Sequence, residues 1–214
     1  MKARKAQVTR ETGETEIAVT LNVDGTGQRE IETWVGFFDH MLDLFAKHGL
    51  FDLQVRVPKA DLQIDEHHTV EDIGITLGQA FAQALGDKVG IRRYGFFILP
   101  MDETLVQVAV DLGGRAWFEL KDGKNEDMTF SREKVGDLST ELVYDILEAF
   151  ASNLCANIHV KVEYGRNAHH MIEGIFKCLA RALRMACELD ERASEQVPST
   201  KGQEILKQGK GERV

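Results

Sequence analysis

The sequence predicts an internally duplicated α+β fold. Three observations carry that expectation. The order strand, strand, helix, strand, helix runs through the chain twice. The pattern His-His-x-x-Glu occurs at His67-His68-Thr69-Val70-Glu71 and returns 102 residues later at His169-His170-Met171-Ile172-Glu173. The shorter helices and the strands after them align at a constant offset of 105 residues.

In the first half, Ile17, Val19, Leu21 and Val23 alternate with polar residues and lead into Asp24-Gly25-Thr26-Gly27, which reads as a strand closed by a turn. Residues 31–34 are expected to pair with it. Phe37, Phe38, Met41, Leu42 and Phe45 fall at helical spacing over 37–48, and Gly49 supplies the stop. Leu53, Val55 and Val57 alternate as a strand, 58–64 return the chain, and 70–85 are expected to be a helix closed by Gly86.

The second half repeats this. Leu105, Val106, Val108 and Val110 form a strand ending Asp111-Leu112-Gly113-Gly114, 87 residues after the corresponding turn. Residues 117–120 are the return strand, 138–151 a helix, Ile158, Val160 and Val162 a strand, and 169–189 a helix. At the 105-residue offset, Leu42, Phe45 and Ala46 meet Leu147, Phe150 and Ala151, and Leu53, Val55 and Val57 meet Ile158, Val160 and Val162. His40 then meets Asp145. The expected division is 1–89 and 90–190 as two halves of one functional unit, followed by a polar tail over 191–214.

Composition narrows the function classes. A formal charge of −9 argues against a general nucleic-acid or anionic-membrane surface, leaving small molecules or proteins as partners. Three cysteines without Cys-x-x-Cys spacing suggest reduced core residues of a cytoplasmic protein. No apolar run reaches the ~18 residues of a membrane span.

The doublets carry the chemistry. On a helix Glu71 lies beside both His67 and His68, while adjacent histidines diverge by about 100°. One helical turn therefore offers ligands in two directions, so that one histidine can serve one ion and its neighbour another. Imidazole and carboxylate suit Mn, Fe or Zn. Either copy alone reads more simply as a solvated helix start. Two copies, holding four of the seven histidines, favour a metal site. If each short helix adds a ligand, the set is His40, His67, His68, Glu71, Asp145, His169, His170 and Glu173, enough for two ions.

Five stretches occur in order: Phe38-Asp39-His40-Met41-Leu42-Asp43, Asp65 to Gly74 around the first doublet, Gly90-Ile91-Arg92-Arg93-Tyr94-Gly95, the second doublet, and Pro198-Ser199-Thr200-Lys201-Gly202. With them the chain resembles the imidazoleglycerol-phosphate dehydratases over nearly its whole length. The resemblance implies a manganese-dependent lyase of histidine biosynthesis that converts imidazole glycerol phosphate to imidazole acetol phosphate. It implies two similar halves, each packing helices on a mainly antiparallel sheet (ribosomal protein S5 domain 2-like). It also implies a homo-oligomer, a twenty-four-subunit shell built from trimers, with two Mn²⁺ per site and sites between subunits.

Carried over by position, the ligands are His40, His67, His68, Glu71, His169, His170 and Glu173, of which His40 and His67 also face substrate. Arg93, Arg115, Ser199 and Lys201 match phosphate contacts, with Lys177 a further candidate. Glu14 matches an acidic residue at the substrate and His48 a substrate-side histidine; together with Glu173 they form the expected catalytic set. This chain has Asp145 and Leu44 where the family is expected to carry histidine and glutamine. A carboxylate remains a competent manganese ligand, and the internal repeat separately sets Asp145 opposite His40.

The proton lost in this dehydration sits on a carbinol carbon beside no carbonyl, so another driving force is needed. An imidazole ring held through both nitrogens by two metals can lose its N–H proton, and the imidazolate can expel hydroxide to give a diazafulvene. A base near the next carbon, Glu14 or His48, then yields an enol that becomes the ketone. Arg93 and Arg115 could fork onto phosphate, with Ser199 and Lys201 closing from the tail. Without the resemblance the arginines read as surface ion pairs. Asp72 is expected to orient a histidine N–H, His159 to be structural, and Asp102 and Glu103 to pair with a basic neighbour. The rivals are a metal-storage protein, which needs no phosphate grip, and a phosphoester metallohydrolase, whose sites are usually richer in aspartate.

Overall fold

Two four-stranded sheets of the same topology enclose four helices in a computed structural model that describes residues 4–200. The first half runs β1 (Lys5–Glu11), β2 (Glu16–Asn22), β3 (Arg29–Glu32), α1 (Gly36–Gly49), β4 (Asp52–Lys59) and α2 (His67–Leu85). The second runs β5 (Tyr94–Met101), β6 (Thr104–Asp111), β7 (Trp117–Asp122), a short hairpin of β8 (Lys134–Val135) and β9 (Leu138–Ser139), α3 (Leu142–Leu154), β10 (Asn157–Tyr164) and α4 (Ala168–Cys187). Sheet orders are β1-β2-β4-β3 and β5-β6-β10-β7, each with two antiparallel pairs and one parallel pair at the β3 or β7 edge.

The alternation read from the sequence sets the core. Ile17, Val19, Leu21, Leu53, Val55 and Val57 turn inward from the first sheet, and Val106, Val108, Val110, Ile158, Val160 and Val162 from the second. Helices α1 and α2 cover one sheet, α3 and α4 the other, and the layers meet as α1 on α4 and α2 on α3. Phe45 of α1, Phe81 of α2 and Phe150 of α3 meet with ring centroids 5.7–6.2 Å apart, which joins the halves at the centre. Edge-to-face packing of this kind adds about 0.5–1.5 kcal/mol per pair beyond burial.

Several boundaries differ from the expectation. The strand expected at 31–34 is Arg29–Glu32; Trp34 has a φ of 70° and leaves the sheet, its indole N–H donating to the Val57 carbonyl at 2.8 Å. The helix expected from 138 starts at Leu142, because residues 134–139 form a hairpin around Gly136, whose φ is +61°. Helix α2 begins at His67 rather than 70, and α4 ends at Cys187 rather than 189. Edge strands β1 and β5 are additional to the elements the sequence pattern predicts. Only Ala6 of β1 is buried, and β5 reads as a continuous apolar run to Met101 that includes Pro100, tolerated at an edge.

The helix starts that carry the doublets are built alike. The His67 N–H donates to Asp65 Oδ1 at 2.8 Å and the His169 N–H to Asn167 Oδ1 at 2.9 Å, acceptors that lie 102 residues apart like the doublets. The 134–139 hairpin ties down the start of α1 and adds to the hold on that of α2. Asp137 accepts from the Gly36 and Phe37 N–H groups of α1, and Glu66, next to His67, accepts from Ser139 N and Oγ and from Lys134 Nζ.

Candidate metal centre

Three side chains from different halves meet at the α1–α4 seam. His40 Nε2 lies 3.4 Å and His169 Nε2 3.1 Å from the same oxygen, Glu173 Oε2, and the three ligand atoms all fall within 4.8 Å of one another. Lys177, one turn on, pairs with the other oxygen of Glu173, and Phe37 packs edge-on against the His169 ring at 5.0 Å. Glu173 is buried, which alone would raise its pKa; the Lys177 hydrogen bond and charge, with His169 and His40, reverse the sign and keep it ionised. Two imidazole nitrogens and an ionised carboxylate oxygen at one point are a donor set that fits a divalent transition metal.

His48 lies two turns beyond His40 on α1. Burial lowers its pKa, and the neighbouring charges of Lys177 and Arg181 lower it further. It is therefore a neutral imidazole near pH 7, able to accept a proton. Leu44 sits between His40 and His48 on the same stripe, half-buried against the core.

The second histidine of each doublet points elsewhere. His68 Nδ1 lies 2.9 Å from Asp61 Oδ2 and 3.5 Å from Glu14 Oε2. His170 Nδ1 lies 2.8 Å from Glu103 Oε2, and its Nε2 is 3.9 Å from Asp102. The hydrogen bond from His170, reinforced by backbone N–H groups including that of Asn167, holds the Glu103 carboxyl down at about 2. His68 is raised chiefly by its bond to Asp61 and His170 by its bond to Glu103. Glu103 thus has a basic neighbour as expected, and that neighbour is a doublet histidine. Nothing in the sequence pointed to Asp61, which lies in the β4–α2 connection.

In the α2–α3 seam, His67 Nε2 and Glu71 Oε2 lie 3.6 Å apart, both about half exposed. Asp145 is partly buried on α3. Among the described residues it joins no group of three ligand atoms, and no such group combines the two doublets. Asp72 does not orient a histidine. It accepts from Arg10 Nε at 2.7 Å and from Thr15 Oγ1, so it pins the β1–β2 turn that carries Glu14 onto α2.

Of the phosphate candidates, Lys177 sits on the ligand Glu173, while Arg93 is engaged at the start of β5. Arg93 forks onto Asp111 at 2.6 and 3.0 Å and donates to the Pro198 carbonyl at 2.8 Å, drawing the tail to the start of β5. A similar pair, Arg4 with Asp24, stands at the start of β1. Arg115 is exposed. Ser199 is half-buried in the segment that Arg93 holds, and Lys201 lies outside the described residues. His159 faces outward from β10, exposed.

Comparison with known proteins gives one answer. The family model described as imidazoleglycerol-phosphate dehydratase matches residues 33–183. The imidazoleglycerol-phosphate dehydratase of Koribacter versatilis is 54% identical over 199 residues, 93% of this chain and 98% of that one. The Acinetobacter baumannii dehydratase is 50% identical over 94% of this chain and 96% of its own. The solved dehydratase structure from Staphylococcus aureus superposes with a TM-score of 0.76 at 35% identity, covering 87% of this chain and 99% of that one. One from Pyrococcus furiosus gives 0.73 at 35% identity, covering 91% and 99%. A duplicated fold that gathers histidines and a carboxylate at a helix seam, with matches of this extent, places the chain in the imidazoleglycerol-phosphate dehydratase family of lyases.

Proposed function

We propose that the chain dehydrates D-erythro-imidazole glycerol phosphate to imidazole acetol phosphate and water, in histidine biosynthesis, with two Mn²⁺ per site. The observation that carries the reading is the α1–α4 seam, where His40, His169 and Glu173 converge with neutral His48 two turns along. His40, His169 and Glu173 would hold one ion. His67, Glu71 and Asp145, at the corresponding positions of the other seam, would hold the second. Bound manganese would supply Lewis acidity to the imidazole ring, easing loss of its N–H proton and of hydroxide from the adjacent carbon.

The chain's own groups do the rest. His48, kept neutral by burial and by Lys177 and Arg181, is suited to take the carbon-bound proton. Glu14 is the second candidate, more than half exposed on a turn fixed by Thr12 Oγ1, which accepts from the Glu14 and Thr15 N–H groups. Arg93, Arg115, Ser199 and Lys201 would bind phosphate, Arg93 by exchanging Asp111 for the ligand. Lys177, committed to Glu173, acts there rather than on phosphate in this arrangement.

Reach supports a site between chains. Arg93 precedes β5 and Glu103, which holds His170, follows it; eight strand residues separate them by about 25 Å at ~3.3 Å each, beyond the span of a small phosphate ester. A substrate touching both groups must take them from different copies. An outward row of Tyr94, Phe96, Ile98 and Trp117, each more than half exposed, supplies apolar surface of the kind another chain covers. Both support the homo-oligomer, proposed as a twenty-four-subunit shell of trimers. No helix among the described residues is long and apolar enough to cross a membrane, and the cytoplasm is the proposed location.

The test supplies metal-stripped protein with imidazole glycerol phosphate, with and without Mn²⁺. Manganese-dependent ketone is the expected result. Released phosphate instead would identify a phosphoester hydrolase, and bound metal without any product would identify a storage protein.

A further inference from the structure

We infer that Asp61 and Glu103 are positioning residues that hold Nδ1 of His68 and His170 and so present Nε2 of each as the atom offered to a metal ion. The inference rests on the metal reading above and adds to it which atom of each outer histidine binds and what aims it. Each contact is short, 2.9 Å for Asp61 and 2.8 Å for Glu103. Each carboxylate is itself anchored. Asp61 is 6% exposed, with its N–H near Thr69 Oγ1 at 3.2 Å and its Oδ1 accepting from Gln63 Nε2 at 3.0 Å. Glu103 accepts from the Asn167 N–H at 2.9 Å.

The two halves reach this contact by different routes, which argues against simple inheritance of a packing detail. Glu103 comes from the β5–β6 turn, whereas Asp61 comes from the β4–α2 connection. The first-half counterpart of the β5–β6 turn is the β1–β2 turn, and it carries Glu14, which stands back at 3.5 Å from His68. Asp61 therefore does for His68 what the hairpin turn does for His170, and Glu14 is left available for the substrate. A ring whose Nδ1–H is held by a carboxylate is fixed in tautomer and orientation and is a better donor through Nε2.

The experiment titrates Mn²⁺ into the full-length, metal-stripped chain and counts free ion by electron paramagnetic resonance, with circular dichroism of the metal-free forms as the check on folding. Asp61→Ala and Glu103→Ala should each weaken Mn²⁺ binding about 10–100-fold, while Asp61→Asn and Glu103→Gln, which keep an oxygen for the Nδ1–H, should stay within about threefold of wild type. Should Asp61→Ala not fold, Asp61→Ser, too short to reach Nδ1, replaces it. In a His68→Ala background Asp61→Ala should add no further loss. Alanine forms that bind like wild type, amide forms that lose as much as alanine, or an added loss in the His68→Ala background would each overturn the inference alone. A wild-type chain that binds no Mn²⁺ would overturn the manganese reading and this inference with it.

Discussion

The seams α1–α4 and α2–α3 descend from one repeated unit and have diverged along their length. In the first, His40, Leu44 and His48 face His169, Glu173, Lys177 and Arg181. In the second the corresponding residues are Asp145, Ala149 and Asn153 against His67, Glu71, Ile75 and Gln79. Both keep ligand-type residues at the end where α2 and α4 begin. Only the first keeps an imidazole and two cations farther along; the second closes there with Gln79 Nε2 donating to Asn153 Oδ1 at 3.2 Å. The α2–α3 seam is also the tighter one, since a Cβ on Gly74 or Gly78 would lie 2.6 Å from the carbonyl oxygen of Ile146 or Phe150. Phe176 and Ala180 stand at those positions in the α1–α4 seam. Duplication fixed a geometry for ligands, and the far ends then divided into one chemical seam and one packing seam.

The largest expected effect comes from the carboxylate shared by both imidazoles. Glu173→Gln should lower kcat/KM by on the order of 10³-fold, the scale of losing metal-based charge stabilisation, and metal content by elemental analysis should fall with it. Asp145→Asn should cost less, because Asp145 has no such cluster around it within one chain; equal losses would break the contrast between seams. Next is His48→Asn, which copies Asn153 into the α1–α4 seam. It should reduce kcat on the order of 10²-fold with little change in KM or metal content, and unchanged turnover would remove His48 from the chemistry. Glu14→Gln, measured alongside, should likewise lower turnover far more than substrate binding if Glu14 takes the proton instead.

Smaller effects fall on stability. Gly78→Ala pushes a methyl at the Phe150 carbonyl and should destabilise the metal-free chain by about 1–3 kcal/mol despite alanine's better helix propensity. A raised melting temperature would show that the seam has slack. The smallest effect is confined to acid. Burial would raise the Glu66 pKa, but Ser139 and Lys134 outweigh it and hold the group at about 2, against 4.5 unperturbed. Its folded pKa is depressed, so its stabilisation is present above about pH 4.5 and lost as pH falls toward 2. Glu66→Gln should flatten acid unfolding across that window; an unchanged profile would mean the hairpin does not depend on the charge.

The doublets, the strand registers and the pairing of His40 with Asp145 were legible because duplication prints the same periodicity twice, and chance does not. That His40 would meet the second-half doublet rather than the first was not, since nothing local says which helices pack together. Asp61 left no trace because its role depends on where a connection folds back over α2. Glu103 was visible only as a residue seeking a basic partner, and its turn became meaningful once β5 was recognised as a strand. Edge strands β1 and β5 escaped because one buries almost nothing and the other lacks alternation. Gly74 and Gly78 read as ordinary helix residues, and their purpose is set by a partner helix some 70 residues away.

A site between chains, together with Nε2 of His68 and His170 as the metal-binding atoms, requires an outer histidine of one chain to complete a ligand cluster of another. A crystal structure of the manganese-loaded protein tests it most directly. The expected result is an ion about 2.0–2.3 Å from His40 Nε2, His169 Nε2 and Glu173 Oε2, with Nε2 of His68 or His170 arriving from a neighbouring chain. An ion ligated wholly within one chain, or bound to the Nδ1 side of His68 among Asp61 and Glu14, would contradict it.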